Sequence, residues 1–293
     1  MPPASPIAPA DGGRSSALDD RGFFGHPRGL STLFFTEMWE RFSYYGMRAF
    51  LILYMVHVLK FDDAHAGSIY GTYTGSVWAA TIFGGIIADR WLGQYKSVLI
   101  GGIIIAMGHF TLAFHPLWTF YAGLALIVVG TGLLKPNVSG IVGSLYETND
   151  ARRDAGFSIF YMGINLGAAI GPFIAGYFAQ EVSWHLGFAC AGVGMTFGVI
   201  QYVLGRRRLQ PAIDRLDRQR RESAAAHEAS LKRRAANPGS AATNESGETT
   251  FWGFTTVEWK RLAAMAVFFA FAAVFWGAYE QAGSTLNLFA DRY

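Results

Sequence analysis

The feature that most constrains this chain is a hydrophobic segment near its start that carries four ionisable side chains. The segment reads FFTEMWERFSYYGMRAFLILYM and contains Glu37, Glu40, Arg41 and Arg48. It is long enough to cross a bilayer, which takes about 20 helical residues. A charged group at the bilayer centre costs roughly 3 kcal/mol on insertion scales, so such groups persist only where they face protein or water. The segment is therefore predicted to form one wall of a functional site in a membrane protein.

The spacing of the polar residues in this segment places them on one side of a helix. They follow one another at i, i+3, i+4, i+7, i+8 and i+11, and so share an arc of about 140°. The residues of this arc are Glu37, Glu40, Arg41, Tyr44, Tyr45 and Arg48. Trp39 and Phe42 point the other way, which is typical of a face in contact with lipid or with apolar neighbours.

The overall composition agrees with a membrane protein of the all-α class. The chain has 293 residues, of which 52% are hydrophobic and 15% are charged, whereas soluble domains have roughly 25% charged residues. Cys190 is the only cysteine, which excludes an internal disulfide and a cysteine-based metal site. No nucleophile elbow, phosphate loop or metal cluster is recognisable, so we expect no enzyme activity, no metal and no cofactor apart from protons as coupling ion.

Hydrophobic stretches of bilayer length predict seven spans. They cover residues 30–58, 67–91, 96–114, 117–143, 156–179, 184–205 and 262–290. The predicted domains are a disordered cytoplasmic tail (1–29), a six-helix transmembrane bundle (30–205), a basic cytoplasmic linker (206–257) and a seventh transmembrane helix that opens a second bundle (258–293). The second bundle that alternating access needs is absent, so we expect the chain to be truncated or a fragment.

The distribution of basic residues predicts the orientation of the spans. With a cytoplasmic N-terminus, the outside segments hold only Lys60 and Arg292, whereas the inside segments hold the remaining Lys and Arg residues of the flanks and loops. Cytoplasmic loops carry such an excess. We therefore expect a multi-pass protein of the cell (inner) membrane, with its linker close to anionic lipid rather than to nucleic acid.

Four stretches carry a family resemblance, beginning with the pattern from Glu37 through Glu40 and Arg41 to Tyr44, Tyr45 and Gly46. The others are GGIIADRWLG (84–93), FYMGINLG (160–167) and FWGAYEQAGSTLNLFA (275–290). In this order they resemble the signatures of the proton-dependent oligopeptide transporter (POT/PTR) family of the major facilitator superfamily. The resemblance implies the superfamily's helical fold and a proton-coupled symporter that imports di- and tripeptides by alternating access. The alternatives are a family member for another solute, such as nitrate or a peptide-like conjugate, and a non-transporting membrane sensor or scaffold.

Helical rise, about 1.5 Å per residue, predicts the depth of each charged group and hence its partners. Glu37, Glu40 and Arg41 lie at the level of Lys135, counted from opposite ends of their helices. Arg48 lies at the level of Glu280. Buried charges require partners. We therefore predict an upper pair of Arg48 with Glu280 and a lower cluster that consists of Glu37, Glu40, Arg41 and Lys135.

The resemblance also implies roles for these residues. Proton coupling is expected of Glu37, Glu40 and Glu280. The expected substrate contacts are Arg41, Tyr44, Tyr45, Arg48, Trp78, Lys135, Tyr161, Asn165, Trp276 and Glu280. Trp78 stands where many members of the family have a tyrosine. A conformational latch is expected at the helix end formed by Asp89, Arg90 and Lys96, and no role is assigned to His57, His65, His109, His115 or His185.

Overall fold

The computed structural model describes residues 20–147, 149–236 and 255–293. The predicted tail lies outside these ranges up to residue 19, and the last part of the predicted linker lies outside them from 237 to 254. Within the described ranges the regular structure consists of helices. The α-helices are α1 (Arg28–His57), α2 (Asp63–Ile87), α3 (Gln94–Leu112), α4 (Leu117–Ser144), α5 (Arg153–Tyr177), α6 (Trp184–Leu204), α7 (Arg206–Ala236), α8 (Thr256–Tyr279) and α9 (Thr285–Arg292).

Helices α1 to α6 occupy the first six predicted spans, and α8 with α9 occupies the seventh. Short π-helical turns extend α2 and α5, at Ala88–Leu92 and Phe178–Val182. Five stretches of the described chain are long and apolar enough to cross a membrane: Gln94–Leu112, Leu117–Ser144, Arg153–Val182, Trp184–Leu204 and Thr256–Arg292. Helices α1 and α2 have the required length, at 30 and 25 residues, but not the same uniform apolarity.

The seventh span departs from the continuous helix that its periodicity predicts. The α-helix ends at Tyr279, a 3₁₀ turn runs over Glu280–Gly283, and α9 begins at Thr285. Gly283 ends this turn, and a Cβ atom at this position would collide with the Tyr70 hydroxyl group. The close approach brings the turn that carries Glu280 against α2.

Glycines allow the helices around the charged segment to approach closely. A Cβ atom at Gly101 on α3 would lie 2.6 Å from the carbonyl oxygen of Gly130 on α4, and the reverse distance is also 2.6 Å. Similarly, a Cβ atom at Gly46 on α1 would lie 3.0 Å from the Gly171 carbonyl oxygen on α5. Contact between small residues is a common way of packing helices in membranes, where apolar burial gives little net driving force.

The described residues fall into two compact units. The first takes in the residues up to Met47 together with Tyr73–Leu216, and the second takes in Arg48–Thr72 with the described residues from Asp217 onward. The core of the first unit includes Leu33, Leu134 and Met195, none of which is exposed.

The predicted basic linker begins with a helix that packs on the first unit. Leu209 and Ala212 of α7 are buried in the same core. The Arg215 Nη1 atom donates hydrogen bonds to the carbonyl oxygens of Ser144 (2.9 Å) and Tyr146 (2.7 Å). These carbonyls lie at the end of α4, where the helix leaves its last acceptors unsatisfied. The first turns of α7 therefore cap α4.

Candidate functional site

Four charged side chains of α1 and α4 form the predicted lower cluster within the first unit. The Lys135 Nζ atom donates a hydrogen bond of 2.6 Å to the Glu37 Oε1 atom. The Arg41 Nε atom lies 3.5 Å from the same oxygen, and the Arg41 guanidinium group donates two hydrogen bonds to the Glu40 carboxylate. Two carboxylates and two cations make the cluster electrically balanced, which is what allows Glu37, Glu40 and Arg41 to be buried.

The spacing along α1 explains how these groups meet. Glu37, Glu40 and Arg41 are three or four residues apart and so project from one face of the helix. Lys135 comes from α4, next to Pro136, which lies inside that helix. The Asn137 side chain donates to the Leu133 carbonyl oxygen at 2.7 Å and to the Gly84 carbonyl oxygen at 3.4 Å. The bond to Gly84 joins α4 to α2, two residues after the lysine.

Two tyrosines of the same face complete the surroundings of Arg41. The guanidinium carbon of Arg41 lies 4.9 Å from the ring centroid of Tyr44 and 5.6 Å from that of Tyr45, both within the range of cation–π attraction. The Tyr44 ring stacks on Tyr73 of α2 at a centroid distance of 6.5 Å. Both predicted tyrosines therefore contact the cation that the resemblance assigns to substrate.

The two carboxylate oxygens of Glu37 differ in their hydrogen bonds. The Glu37 Oε2 atom is buried and has no hydrogen-bond partner within the described residues. An unsatisfied buried acceptor is costly, and each unsatisfied group in a native structure requires an explanation. A carboxylate with one oxygen bound to a lysine and the other without a partner is able to accept a proton, a water molecule or a donor group of a ligand.

The predicted upper pair is formed within the second unit. The Arg48 Nη2 atom of α1 donates to the Glu280 Oε2 atom of the 3₁₀ turn. The Arg48 Nε atom donates to the Tyr70 hydroxyl oxygen of α2, and the guanidinium carbon lies 5.3 Å from the Tyr70 ring centroid. Tyr70 was not among the predicted site residues, since its spacing on α2 gives no indication that it reaches Arg48.

Further polar contacts in the second unit join the end of α9 to α1 and α2. The Asn287 amide donates to the Ala49 carbonyl oxygen at 2.7 Å. His57 lies 2.8 Å from the Asp291 carboxylate. No role at a site was predicted for His57 or Asp291.

Arg292 makes two parallel hydrogen bonds with Asp63, each of 2.7 Å. The side-chain hydrogen bond from Arg292 holds the pKa of the Asp63 carboxyl below its usual value. The sequence signal for this contact is that Arg292 is one of only two basic residues in the predicted outside segments. Such a residue at the end of an apolar helix needs an acidic partner or solvent.

Four predicted substrate residues form no hydrogen bond or ion pair with the charged groups within the described residues. Trp78, Tyr161 and Trp276 are exposed, at 64%, 62% and 52% of their surface. The Asn165 amide donates to the Tyr161 carbonyl oxygen of its own helix at 3.1 Å. The substrate roles of these four residues stay predictions.

The predicted latch residues are not joined by an ion pair within the described residues. The Asp89 Oδ1 atom instead accepts a hydrogen bond of 2.9 Å from the Gln94 amide. Asp89 and Arg90 belong to the π-helical turn after α2, and Lys96 belongs to the first turn of α3. A latching function for these three residues also stays a prediction.

A polar group outside the spans was missed by the sequence analysis. The His26 Nδ1 atom lies 3.0 Å from the Tyr146 hydroxyl oxygen, and Arg152 makes a two-pronged hydrogen bond with Asp150. Burial lowers the pKa of His26, and Arg152 lowers it further, whereas burial raises the pKa of Tyr146 to about 12. The hydrogen bonds from Arg152 hold the pKa of Asp150 below its ordinary value.

No group of three or more His, Cys, Asp or Glu side chains that would hold a metal ion converges within the described residues. The two clusters consist of carboxylates, guanidinium groups, an ammonium group and phenol rings. Such groups bind ionic substrates and protons.

Comparison with known proteins decides the family. The model of the POT family matches residues 95–293. The chain belongs to the POT family. The uncharacterized transporter YclF of Bacillus subtilis is 52% identical over 198 residues, which are 66% of this chain and 40% of YclF. A di-/tripeptide transporter of Lactococcus lactis is 48% identical over 204 residues, 67% of this chain and 41% of that protein. The chain thus spans about two fifths of the length of these relatives.

Solved structures of the family share the fold. A mutant of the peptide transporter POT in complex with alafosfalin has a TM-score of 0.77 and 39% identity, and the match covers 94% of this chain and 62% of that one. A POT family transporter in complex with 5-aminolevulinic acid has a TM-score of 0.63 and 45% identity, covering 66% and 41% of the two chains. The predicted major facilitator fold is therefore confirmed, and the chain is a membrane protein of this family.

Proposed function

We propose that the full-length protein is a proton-coupled symporter that imports di- and tripeptides by alternating access. The observation that carries the proposal is the buried Glu37 carboxylate, which is held by Lys135 and Arg41 while its second oxygen has no hydrogen-bond partner among the described residues. Relatives named as di-/tripeptide transporters support peptides as the substrate class. We further propose an inner-membrane location with the N-terminus in the cytoplasm and the domain division predicted above.

The proposed coupling is an exchange of partners in the lower cluster. The carboxylate of a bound peptide attracts Lys135 or Arg41 and so competes with Glu37 and Glu40 for them. A buried carboxylate that loses its cation becomes costly to keep ionised, and binding a proton removes the charge. Peptide binding and proton uptake thereby favour each other.

Glu280 is proposed as a second proton site by the same reasoning. Its carboxylate is bound to Arg48, and protonation of Glu280 releases the arginine. Within the second unit, the contacts of Asn287, Asp291 and Arg292 continue along the same side of the seventh span. We propose that these outer contacts form and break once in each transport cycle.

The substrate class is tested by competition in proteoliposomes that contain the full-length protein. Uptake of a labelled dipeptide under an inward proton gradient is measured while unlabelled di-, tri- and tetrapeptides, single amino acids and nitrate are added in turn. Competition by di- and tripeptides alone supports the proposal. Absence of dipeptide uptake, together with uptake of labelled nitrate under the same gradient, would assign the protein to another solute.

A peptide-like compound is the second candidate substrate. Solved relatives have been crystallised with 5-aminolevulinic acid and with a thioalcohol-conjugated peptide. The same competition experiment, extended to 5-aminolevulinic acid, distinguishes a general peptide transporter from one that prefers such compounds. A protein that binds these ligands without moving any of them would instead be a sensor.

A further inference from the structure

An apolar crevice opens on the side of α1 that carries no charges. It lies between α1, α5 and α6 of the first unit and has a volume of about 240 Å³. Trp39 of α1, Ile170 of α5, and Val193 and Phe197 of α6 contribute to its apolar lining. Because the crevice faces away from the lower cluster, it plays no part in the proposed transport mechanism.

An exposed apolar stripe leads from the crevice towards the proposed cytoplasmic side. Ile200 and Leu204 follow Phe197 on α6 at helical spacing, and they are 49% and 78% exposed. Three consecutive exposed arginines begin at Arg206, directly after the end of α6. Gly205 separates α6 from α7, and Arg206 and Arg207 lie in the first turn of α7. The stripe therefore ends in a cationic rim at the proposed cytoplasmic end of α6.

The rim also includes arginines that lie close to α1. Arg208 reaches α1, where its Nη1 atom lies 3.5 Å from the Ser31 hydroxyl oxygen. Arg28 at the start of α1 adds a further exposed cation, although the Asp20 carboxylate lies 3.5 Å from it. Arg207, which precedes Arg208 on α7, is also exposed. The two walls of the crevice, α1 and α6, thus both lead to arginines.

We infer that the crevice and its rim bind one anionic phospholipid of the inner leaflet, with an acyl chain in the crevice and the headgroup phosphate on Arg207 and Arg208. An apolar crevice alone accepts the acyl chain of any lipid. Basic residues beside a membrane attract anionic lipids, and arginine pairs with phosphate through two parallel hydrogen bonds. The rim therefore selects phosphatidylglycerol over phosphatidylcholine.

The inference is tested by native mass spectrometry of the delipidated full-length protein titrated with phosphatidylglycerol or phosphatidylcholine. We expect one tightly retained phosphatidylglycerol molecule. The double variant Arg207→Gln/Arg208→Gln should bind it about 30-fold more weakly, which corresponds to about 1 kcal/mol per arginine near a lipid surface. The matched control is Arg218→Gln/Arg221→Gln, which removes the same charge from exposed positions further along α7 and should retain the lipid.

A third variant tests the crevice itself. Val193→Trp fills part of the space from a position that is 45% exposed, so we expect the protein to fold and its lipid affinity to fall. Equal affinity for the two lipids, or equal losses in the two arginine variants, would overturn the assignment of the headgroup site. Unchanged binding by Val193→Trp would overturn the assignment of the crevice. Lipid binding is measured without transport, so its failure leaves the proposed function standing.

Discussion

Removing the Lys135 amine tests whether the lower cluster is a coupled set of charges. In Lys135→Met the hydrogen bond of 2.6 Å to Glu37 is lost, and the nearest remaining cation is Arg41 at 3.5 Å, which Glu40 also engages. Removing one partner of a buried ion pair typically costs 3–5 kcal/mol. The Lys135 side chain is 24% exposed and Arg41 remains, so we expect about 2–3 kcal/mol.

The double variant Lys135→Met/Glu37→Gln provides the comparison. It removes both charges, and replacing a whole buried pair by neutral groups is often nearly neutral. Thermal unfolding of the purified full-length protein, followed by intrinsic fluorescence at one pH, should therefore give the lowest midpoint for Lys135→Met and a higher midpoint for the double variant. A double variant that unfolds at or below the midpoint of Lys135→Met would refute the reasoning, since the two charges would then not be coupled.

Three further predictions concern the other charged groups. Glu280→Gln should abolish proton-driven accumulation of a labelled dipeptide in proteoliposomes while retaining exchange of labelled for unlabelled peptide, because the residue is proposed to carry a proton rather than to form the whole binding site. Asp63→Arg should lower uptake several-fold, and Asp63→Arg/Arg292→Asp should restore it, because the swap keeps the two parallel hydrogen bonds. His26→Gln should weaken the pH dependence of stability, which is measured as unfolding midpoints at pH 5.5 and 7.5.

The sign of the pH effect follows from the lowered pKa of His26. Below pH 6.5, the ordinary pKa of histidine, the unfolded chain binds a proton at His26 that the folded protein binds less readily. The contribution of His26 to folding stability is therefore fully present above this pH, and it is lost as the pH falls through the lowered pKa of the folded protein. The unmodified protein should thus lose stability on acidification and His26→Gln should lose less. Equal losses would contradict this role of His26.

Normal accumulation by Glu280→Gln, or failure of the charge swap at Asp63 to restore uptake, would contradict the other two predictions.

The periodic part of the structure was accessible from the sequence. The charged arc of α1 follows from residue spacing, and the partners Lys135 and Glu280 follow from helical rise, because both quantities depend on one helix at a time. Charges within an apolar helix leave few choices of partner. The motifs of α1 and the seventh span then supplied the family, which the comparisons confirm.

The parts that were not predicted depend on contacts between elements. The break after Tyr279 was missed because the residues around Glu280 keep a regular helical spacing, whereas the approach of Tyr70 to Gly283 is a contact between elements. The pairing of Arg292 with Asp63 was missed for a related reason. Hydrogen bonds of exposed residues at helix ends leave no periodic signal in the sequence.

The capping of α4 by Arg215 is another contact between elements that was not predicted. The sequence predicts a basic linker from its charge, but it does not show which face of the helix packs inward. Leu209 and Ala212 are the residues that decide this, since they are buried in the core of the first unit. Two small apolar positions in a strongly basic segment are a weak signal.

The central claim, that peptide and proton move together, is tested most directly by a flux measurement. Proteoliposomes that contain the full-length protein and a pH-sensitive dye are prepared at equal internal and external pH, with the membrane potential clamped inside-negative. Addition of a dipeptide outside should acidify the interior, and Glu280→Gln should abolish the acidification. Peptide uptake without any change of internal pH would contradict the account.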